Sequence, residues 1–367
     1  MNELFNYLID MLKVGFGRLL ELPVTSLVIA AGLLFATGLL AIWIGRKHLP
    51  SWLTSVKFLY SAALLYFALL AILMIDQRMN MMHKQIGDLR GRLALTPVGV
   101  QSSDSSILNT KIKKVFPDAR IMVQQEVPSI TYASIRRYGN NPAQIHLALI
   151  DLTDPNIQIE ITREHLDYKT FTSAFAKKHN CIVAINGEAG VSPAQGRPLG
   201  QWTGNWIANG KKVLLADSDQ RPFLSFDRTN HARYYRAKIV DTQLSEEKFN
   251  TIWGRFDLLI DGKSVTKNPP DKTADWLNPR TAMGIDETGK QLFLVVVDGR
   301  QNYSFGMKKS EVAQLFRAIG AYNAMSCDEG GSSCMYLNSR NGIVNWPSDG
   351  QERPVYSHFG VSLRTAD

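Results

Sequence analysis

Four short clusters in this 367-residue chain share one arrangement: an apolar, strand-like run ends in an acid or amide followed by glycine. They are Asn186-Gly187-Glu188, Asp261-Gly262, Asp298-Gly299-Arg300 and Asp328-Glu329-Gly330. Carboxylates at strand ends can move protons or hold a cation. A guanidinium beside an acid can bind an oxyanion. The last cluster runs on as Gly330-Gly331-Ser332-Ser333. Adjacent glycines allow close backbone approach, successive N–H groups make a concavity that suits an anion, and the two hydroxyls add donors. Together these residue types suit proton transfer or metal binding beside a bound anion. The same dipeptides are also common β-turn residues. Asp261-Gly262 fits that plainer reading, whereas Asp298-Gly299-Arg300 closes a long apolar run and keeps both readings.

Other chemistries find less support. His146, His165, His179, His231 and His358 show no H-x-x-x-H or H-E-x-x-H spacing. Ser332 and Ser333 lack the G-x-S-x-G elbow of a hydrolase triad. Cys181, Cys327 and Cys334 form no C-x-x-C pair, which argues against structural zinc. Cys327 and Cys334 read as thiols on strands flanking the acidic-glycine turn, with a bridge open to them in an oxidising compartment. The formal net charge of +8 is spread along the chain, without a basic block carrying interleaved aromatics. Nucleic acid is therefore not an expected partner.

The elements that must position these clusters begin near Ile107. Alternation predicts strands at Ile145–Asp151 and Ile157–Ile161. A short helix is expected at Phe171–His179 and a buried strand at Cys181–Ile185. Asp257–Ile260 reads as a strand, and Thr281–Ile285 with Leu292–Val297 as a hairpin. Ser310 is placed to cap a helix with Val312, Leu315, Phe316 and Ile319 on one face. Strands and helices mix without βαβ repetition, so the expected fold is α+β, a mixed β-sheet with packed helices.

The first hundred residues differ. Residues 1–23 read as an amphipathic segment. Residues 24–44 and 52–75 hold uncharged runs long enough to span a bilayer, giving a two-helix transmembrane hairpin over 24–75. Met79, Met82, Ile86, Leu89 and Leu93 make a heptad stub that could support self-association. Residues 76–106 are then a helical stalk and linker, and 107–367 the globular domain. The Lys/Arg distribution does not fix which side of the membrane that domain faces.

One ordered series points further. It runs Ala184-Ile185-Asn186-Gly187, then Asn278-Pro279-Arg280-Thr281-Ala282-Met283-Gly284-Ile285, then Val296-Val297-Asp298-Gly299-Arg300 and Ser304-x-Gly306-Met307. The acidic-glycine-serine turn follows, and Asn345-x-Pro347-Ser348-Asp349-Gly350-x-x-Arg353 closes it. Over about residues 130–365 this resembles the phosphodiester glycosidase family. The resemblance implies hydrolysis of a sugar-1-phosphodiester at the sugar C1–O bond, with a phosphomonoester as the other product. It implies Asp328 as nucleophile or base, Asp298 or Glu188 as its partner, and Glu329 as a further carboxylate. Arg280, Arg300, Arg353 and the Gly330, Gly331, Ser332, Ser333 turn are the implied phosphate contacts. Asn186, Gly187, Thr281, Ser348 and Asp349 complete the implied substrate-binding set. No cofactor is expected, although the acidic cluster is a candidate for a divalent cation.

Two positions depart from the family pattern. Glu329 stands where the family usually has glycine, which either forbids a positive φ or adds a carboxylate to the site. Glu188-Ala189-Gly190 stands where a small or acidic residue and an aromatic pair are usual. The leading expectation is a membrane-anchored glycosidase acting on phosphodiester-linked sugars of envelope or exopolysaccharide glycans. It would sit in a bacterial-type inner membrane with its catalytic domain on the periplasmic side, and its partners would be the glycan and the lipid bilayer. The alternatives are a non-catalytic glycan-binding protein of the same fold and a phosphodiesterase that cuts the P–O bond.

Overall fold

The computed structural model describes residues 104–163, 169–188, 204–214, 221–236, 246–265 and 276–364. Among them no helix is long and apolar enough to cross a membrane. The expected hairpin at 24–75, the amphipathic segment and the heptad stub lie outside these residues. Helix α1 (Asp104–Lys113) already occupies the end of the expected linker.

The described residues that follow build eighteen strands and two further α-helices. In order these are β1 (Arg120–Val127), β2 (Ile130–Arg137), β3 (Ala143–Asp151), β4 (Ile157–Ile161), α2 (Thr172–Lys178), β5 (Val183–Asn186), β6 (Trp206–Ala208), β7 (Lys211–Leu214), β8 (Phe223–Phe226) and β9 (Ala232–Tyr235). There follow β10 (Asn250–Trp253), β11 (Phe256–Ile260), β12 (Lys263–Ser264), β13 (Arg280–Ile285), β14 (Gln291–Val297), α3 (Lys309–Ile319), β15 (Asn323–Ser326), β16 (Met335–Leu337), β17 (Gly342–Ile343) and β18 (His358–Leu363). They form an eight-stranded sheet, β1-β2-β3-β14-β13-β15-β11-β12, and two five-stranded sheets, β7-β6-β10-β8-β9 and β17-β16-β5-β18-β4.

The expectation of a mixed sheet needs correction. Among the described residues the fold is mainly β, with three α-helices, and every strand pairing is antiparallel. The connection through α3 shows why. It joins β14 to β15, which run the same way, but β13 lies between them and pairs antiparallel with both. The helix therefore crosses over one strand rather than linking parallel neighbours.

The core explains the long apolar run in β14. Leu292, Leu294 and Val296 face a cluster shared with the two smaller sheets. Phe293, Val295 and Val297 face a second cluster under α1 and α3. A strand covered on both faces needs no alternation of polar residues. Each of these side chains, at 0% exposure, contributes roughly 1.5–3 kcal/mol on burial. The apolar face predicted for α3 is the one buried. Its start differs from expectation: the helix begins at Lys309, and Glu311 reaches back to accept the Lys308 N–H at 2.8 Å. Ser310 lies inside the first turn.

Candidate functional site

Three of the four glycine clusters meet at one end of the sheets. In the large sheet Arg280 pairs with Val297, so the start of β13 adjoins the end of β14 and its Asp298-Gly299-Arg300. Ser326 pairs with Ala282 and with Phe256, which brings Asp328 to the same end. The third sheet adds Asn186-Gly187-Glu188 from β5: the Asn186 amide donates to the Asp328 carbonyl at 2.9 Å, and the Asp328 N–H donates to the Gly187 carbonyl at 3.3 Å. Asp261-Gly262 lies at the other end of β11, with φ of 50° and 72° in the turn to β12. It is a hairpin turn and belongs to no site.

At the centre Arg255 joins two carboxylates. Its Nε donates to Glu188 Oε1 at 2.8 Å, and its Nη2 also contacts Glu188 Oε1. The same Nη2 lies 3.3 Å from Asp328 Oδ1. Glu188 is 1% exposed, and its Oε2 has no partner. Burial, reinforced by the Asp328 charge, pushes the Glu188 carboxyl up to about 8 against the pull of Arg255. A carboxyl that titrates near neutrality can both give and take a proton.

Glu329 resolves the question raised by its replacement of glycine. Its φ of −119° and ψ of −179° are extended backbone open to any residue. The left-handed conformation falls on the next residue, Gly330, at φ 70°. The Glu329 carboxylate contacts Arg280 Nη1 and lies 3.4 Å from Lys309 Nζ. Arg280 is itself 1% exposed and is anchored by donation to the carbonyls of Met307 at 2.8 Å and Trp276 at 2.7 Å. In this structure the guanidinium faces an internal carboxylate.

The glycine-serine turn is a short 3-10 segment over Gly330–Ser332. The Gly330 N–H donates to the Pro279 carbonyl at 3.2 Å, so it is not part of an anion cradle. A Cβ at Gly330 would lie 3.2 Å from the Arg300 guanidinium, which thus rests over the turn. Arg300 is exposed, adopts φ 59°, and touches the Asn278 carboxamide only at 3.4 Å. A Cβ at Gly331 would collide with Arg353 Nη2 and the Asp349 carboxylate. Arg353 donates to Asp349 at 2.9 and 2.5 Å and to Ser332 Oγ at 3.4 Å. Ser333 Oγ and Ser348 Oγ are buried without partners.

Several implied site residues are tied into hydrogen bonds within the fold. The Asn186 side chain donates to the Gly187 and Asp328 carbonyls and accepts from Thr281 Oγ1 at 2.8 Å and the Cys334 N–H at 3.0 Å. Its hydrogen-bonding capacity is used up in tying three segments together. Thr281 is spent on the same contact, and Gly187 is packed too tightly against Ser357 for a side chain. Asp298 is 2% exposed and accepts from Tyr303 Oη at 2.7 Å and the Trp346 N–H at 2.9 Å. It holds the Trp346 loop, and Glu188 takes its place beside Asp328. The cysteines are free and buried, so the bridge between Cys327 and Cys334 is not made.

Arg255 and Lys309 escaped sequence reasoning. The available signal for Arg255 was Trp253-Gly254-Arg255, a glycine joining two strands. A Cβ at Gly254 would meet Met325 Sδ and the Ser326 carbonyl at 2.7 Å, so β10 and β11 turn hard against β15 there. Among the described residues no group of three or more His, Cys, Asp or Glu is arranged to hold a metal ion. Arg255 lies between Glu188 and Asp328, while Arg280 and Lys309 engage Glu329.

Comparison with known proteins follows the same outline. A crystal structure of a hypothetical protein from Synechocystis matches with a TM-score of 0.55 at 12% identity, over 67% of this chain and 64% of that one. The zebrafish N-acetylglucosamine-1-phosphodiester α-N-acetylglucosaminidase catalytic domain, auto-inhibited by its pro-peptide, matches with a TM-score of 0.52 at 19% identity, over 69% and 93%. These two likenesses show a shared fold. The SPbeta prophage-derived uncharacterized protein YomE of Bacillus subtilis (strain 168) is 28% identical over 207 residues, which is 53% of this chain. The chain spans only 30% of the length of that relative. The sequence model of the phosphodiester glycosidases matches residues 179–362, half of the chain, from just before β5 into β18. With Glu188, Asp328 and the glycine-serine turn all inside that match, the chain belongs to the phosphodiester glycosidase family.

Proposed function

We propose that this chain hydrolyses sugar-1-phosphodiesters at the sugar C1–O bond. The observation that carries the reading is the pair Glu188 and Asp328 sharing one nitrogen of Arg255, beside a glycine-serine turn rimmed by Arg300 and Arg353. The phosphodiester anion lies against the two exposed guanidinium groups and Ser332. Asp328 attacks C1, and the C1–O electrons pass to the phosphate oxygen, which leaves as a phosphomonoester. A leaving group with a second pKa of about 6 needs little protonation. Water then attacks C1 of the glycosyl ester, gives its proton to Glu188 in its ionised form, and releases the sugar and the Asp328 carboxylate. Two oxygens that share one guanidinium nitrogen stand closer than the roughly 6.5–9.5 Å used for single displacement, which favours this double displacement with retention.

The two uncharged N-terminal runs support a membrane tether, and the family chemistry supports envelope or exopolysaccharide glycans as substrates on the outer face. The alternative, a non-catalytic glycan-binding protein of the same fold, rests on Glu329 in place of the family glycine and predicts glycan binding without product. The extended backbone at Glu329 forms the turn without strain, which favours the catalytic reading. The test is Asp328→Asn in the full-length protein, assayed for free sugar from a sugar-1-phosphodiester. Turnover should fall by at least about 10³-fold with the melting temperature unchanged. Undiminished turnover would remove Asp328 from the mechanism.

A further inference from the structure

We propose that Glu329 is a specificity-determining residue whose carboxylate fills an anion subsite built by Arg280 and Lys309, one residue from Asp328. Both cations are fixed before any ligand arrives. Arg280 is clamped by two backbone carbonyls, so its Nη1 keeps one direction. The Lys309 side chain, 8% exposed, holds its Nζ over the Phe256 ring at 3.8 Å and is the first residue of α3. The Glu329 side chain is 10% exposed and enters between them from an unstrained backbone.

The carboxylate fits this place imperfectly. Glu329 Oε1 is buried and makes no hydrogen bond, although Lys309 Nζ stands 3.4 Å away. A rigid guanidinium edge and an ammonium converging on one point also suit a free oxyanion, such as a phosphate or sulfate group, whose oxygens are not tied to the backbone and can turn to meet both donors. With Glu329 in place, a sugar that carries a second anion meets a like charge and a filled volume. The chain then accepts a sugar-1-phosphodiester with no further anionic group at this position. That statement about substrates rests on the proposed activity, whereas the subsite itself does not.

Inorganic phosphate and sulfate serve as probes on the full-length protein, as wild type, Glu329→Gly and Glu329→Ala. Alanine covers the case in which the added freedom of glycine unfolds the turn. Both variants should melt lower than wild type in phosphate-free buffer and recover with phosphate in a saturable way. Calorimetry should show phosphate bound at least tenfold tighter than by wild type, and adding Lys309→Met should abolish the gain. Phosphate affinity equal to wild type in the folded variants would overturn the proposal. So would variants that stay unfolded at saturating phosphate, because an external anion could then not replace the carboxylate. These readouts do not involve turnover, so failure of hydrolysis and failure of the subsite are separate results.

Discussion

Replacing Arg255 with methionine tests how the Glu188 charge is supported. In the native protein the 1%-exposed Glu188 carboxyl is held up to about 8, from a usual value of 4.5, by burial and by Asp328, and Arg255 opposes that rise. A carboxyl whose pKa is raised on folding contributes stability that is fully present below about 4.5 and lost as pH rises through about 8. Without Arg255, ionising Glu188 becomes harder still, so the variant should weaken more steeply as pH rises. Removing one partner of a buried pair costs about 3–5 kcal/mol. The Arg255 side chain is 35% exposed, and water screening reduces the expected cost to about 2–3 kcal/mol at pH about 9. That corresponds to roughly 5–10 °C in melting temperature. Near pH 5.5 the neutral Glu188 carboxyl needs no cation, and the loss should be less than about 3 °C. Thermal unfolding of Arg255→Met and wild type across this range is the assay. Equal losses at both ends would refute the claim that Arg255 supports a buried Glu188 charge.

Two further outcomes follow from the geometry. Gly331→Ala places a Cβ against the ends of Arg353 and Asp349, which are exposed and can swing away, so stability should change by less than about 1 kcal/mol. Substrate binding should suffer instead, with KM raised about tenfold and kcat changed less; a collapse of the fold would contradict this. The shared nitrogen of Arg255 predicts that the sugar is released with its anomeric configuration retained, readable by proton NMR during early turnover. Inversion would mean that Asp328 and Glu188 do not act as nucleophile and proton acceptor.

The strand ends were legible because apolar runs closed by Asp-Gly or Asn-Gly mark where a chain leaves a sheet, and most of those ends proved to be neighbours. The apolar face of α3 was legible from its spacing. The strands β6 to β10 have only three or four residues each, too short for alternation to declare itself. Arg255 was hidden for a different reason. Its importance comes from the β11–β15 register, which sets it beside Asp328, and no local pattern encodes a register between strands that lie some seventy residues apart. The same limit explains Asp298, which has the look of a site acid in sequence but points its carboxylate into contacts with Tyr303 and Trp346. Glu329 is the instructive case. The position was recognised as unusual, yet only its extended φ and its contacts with Arg280 and Lys309 show that the carboxylate is accommodated without strain.

The most direct test of the central claim is to hydrolyse a sugar-1-phosphodiester with the full-length protein in heavy-oxygen water. Attack at C1 predicts that the heavy oxygen appears in the released sugar and that the phosphomonoester carries none. Label in the phosphate would place the cleavage at the P–O bond and contradict the account.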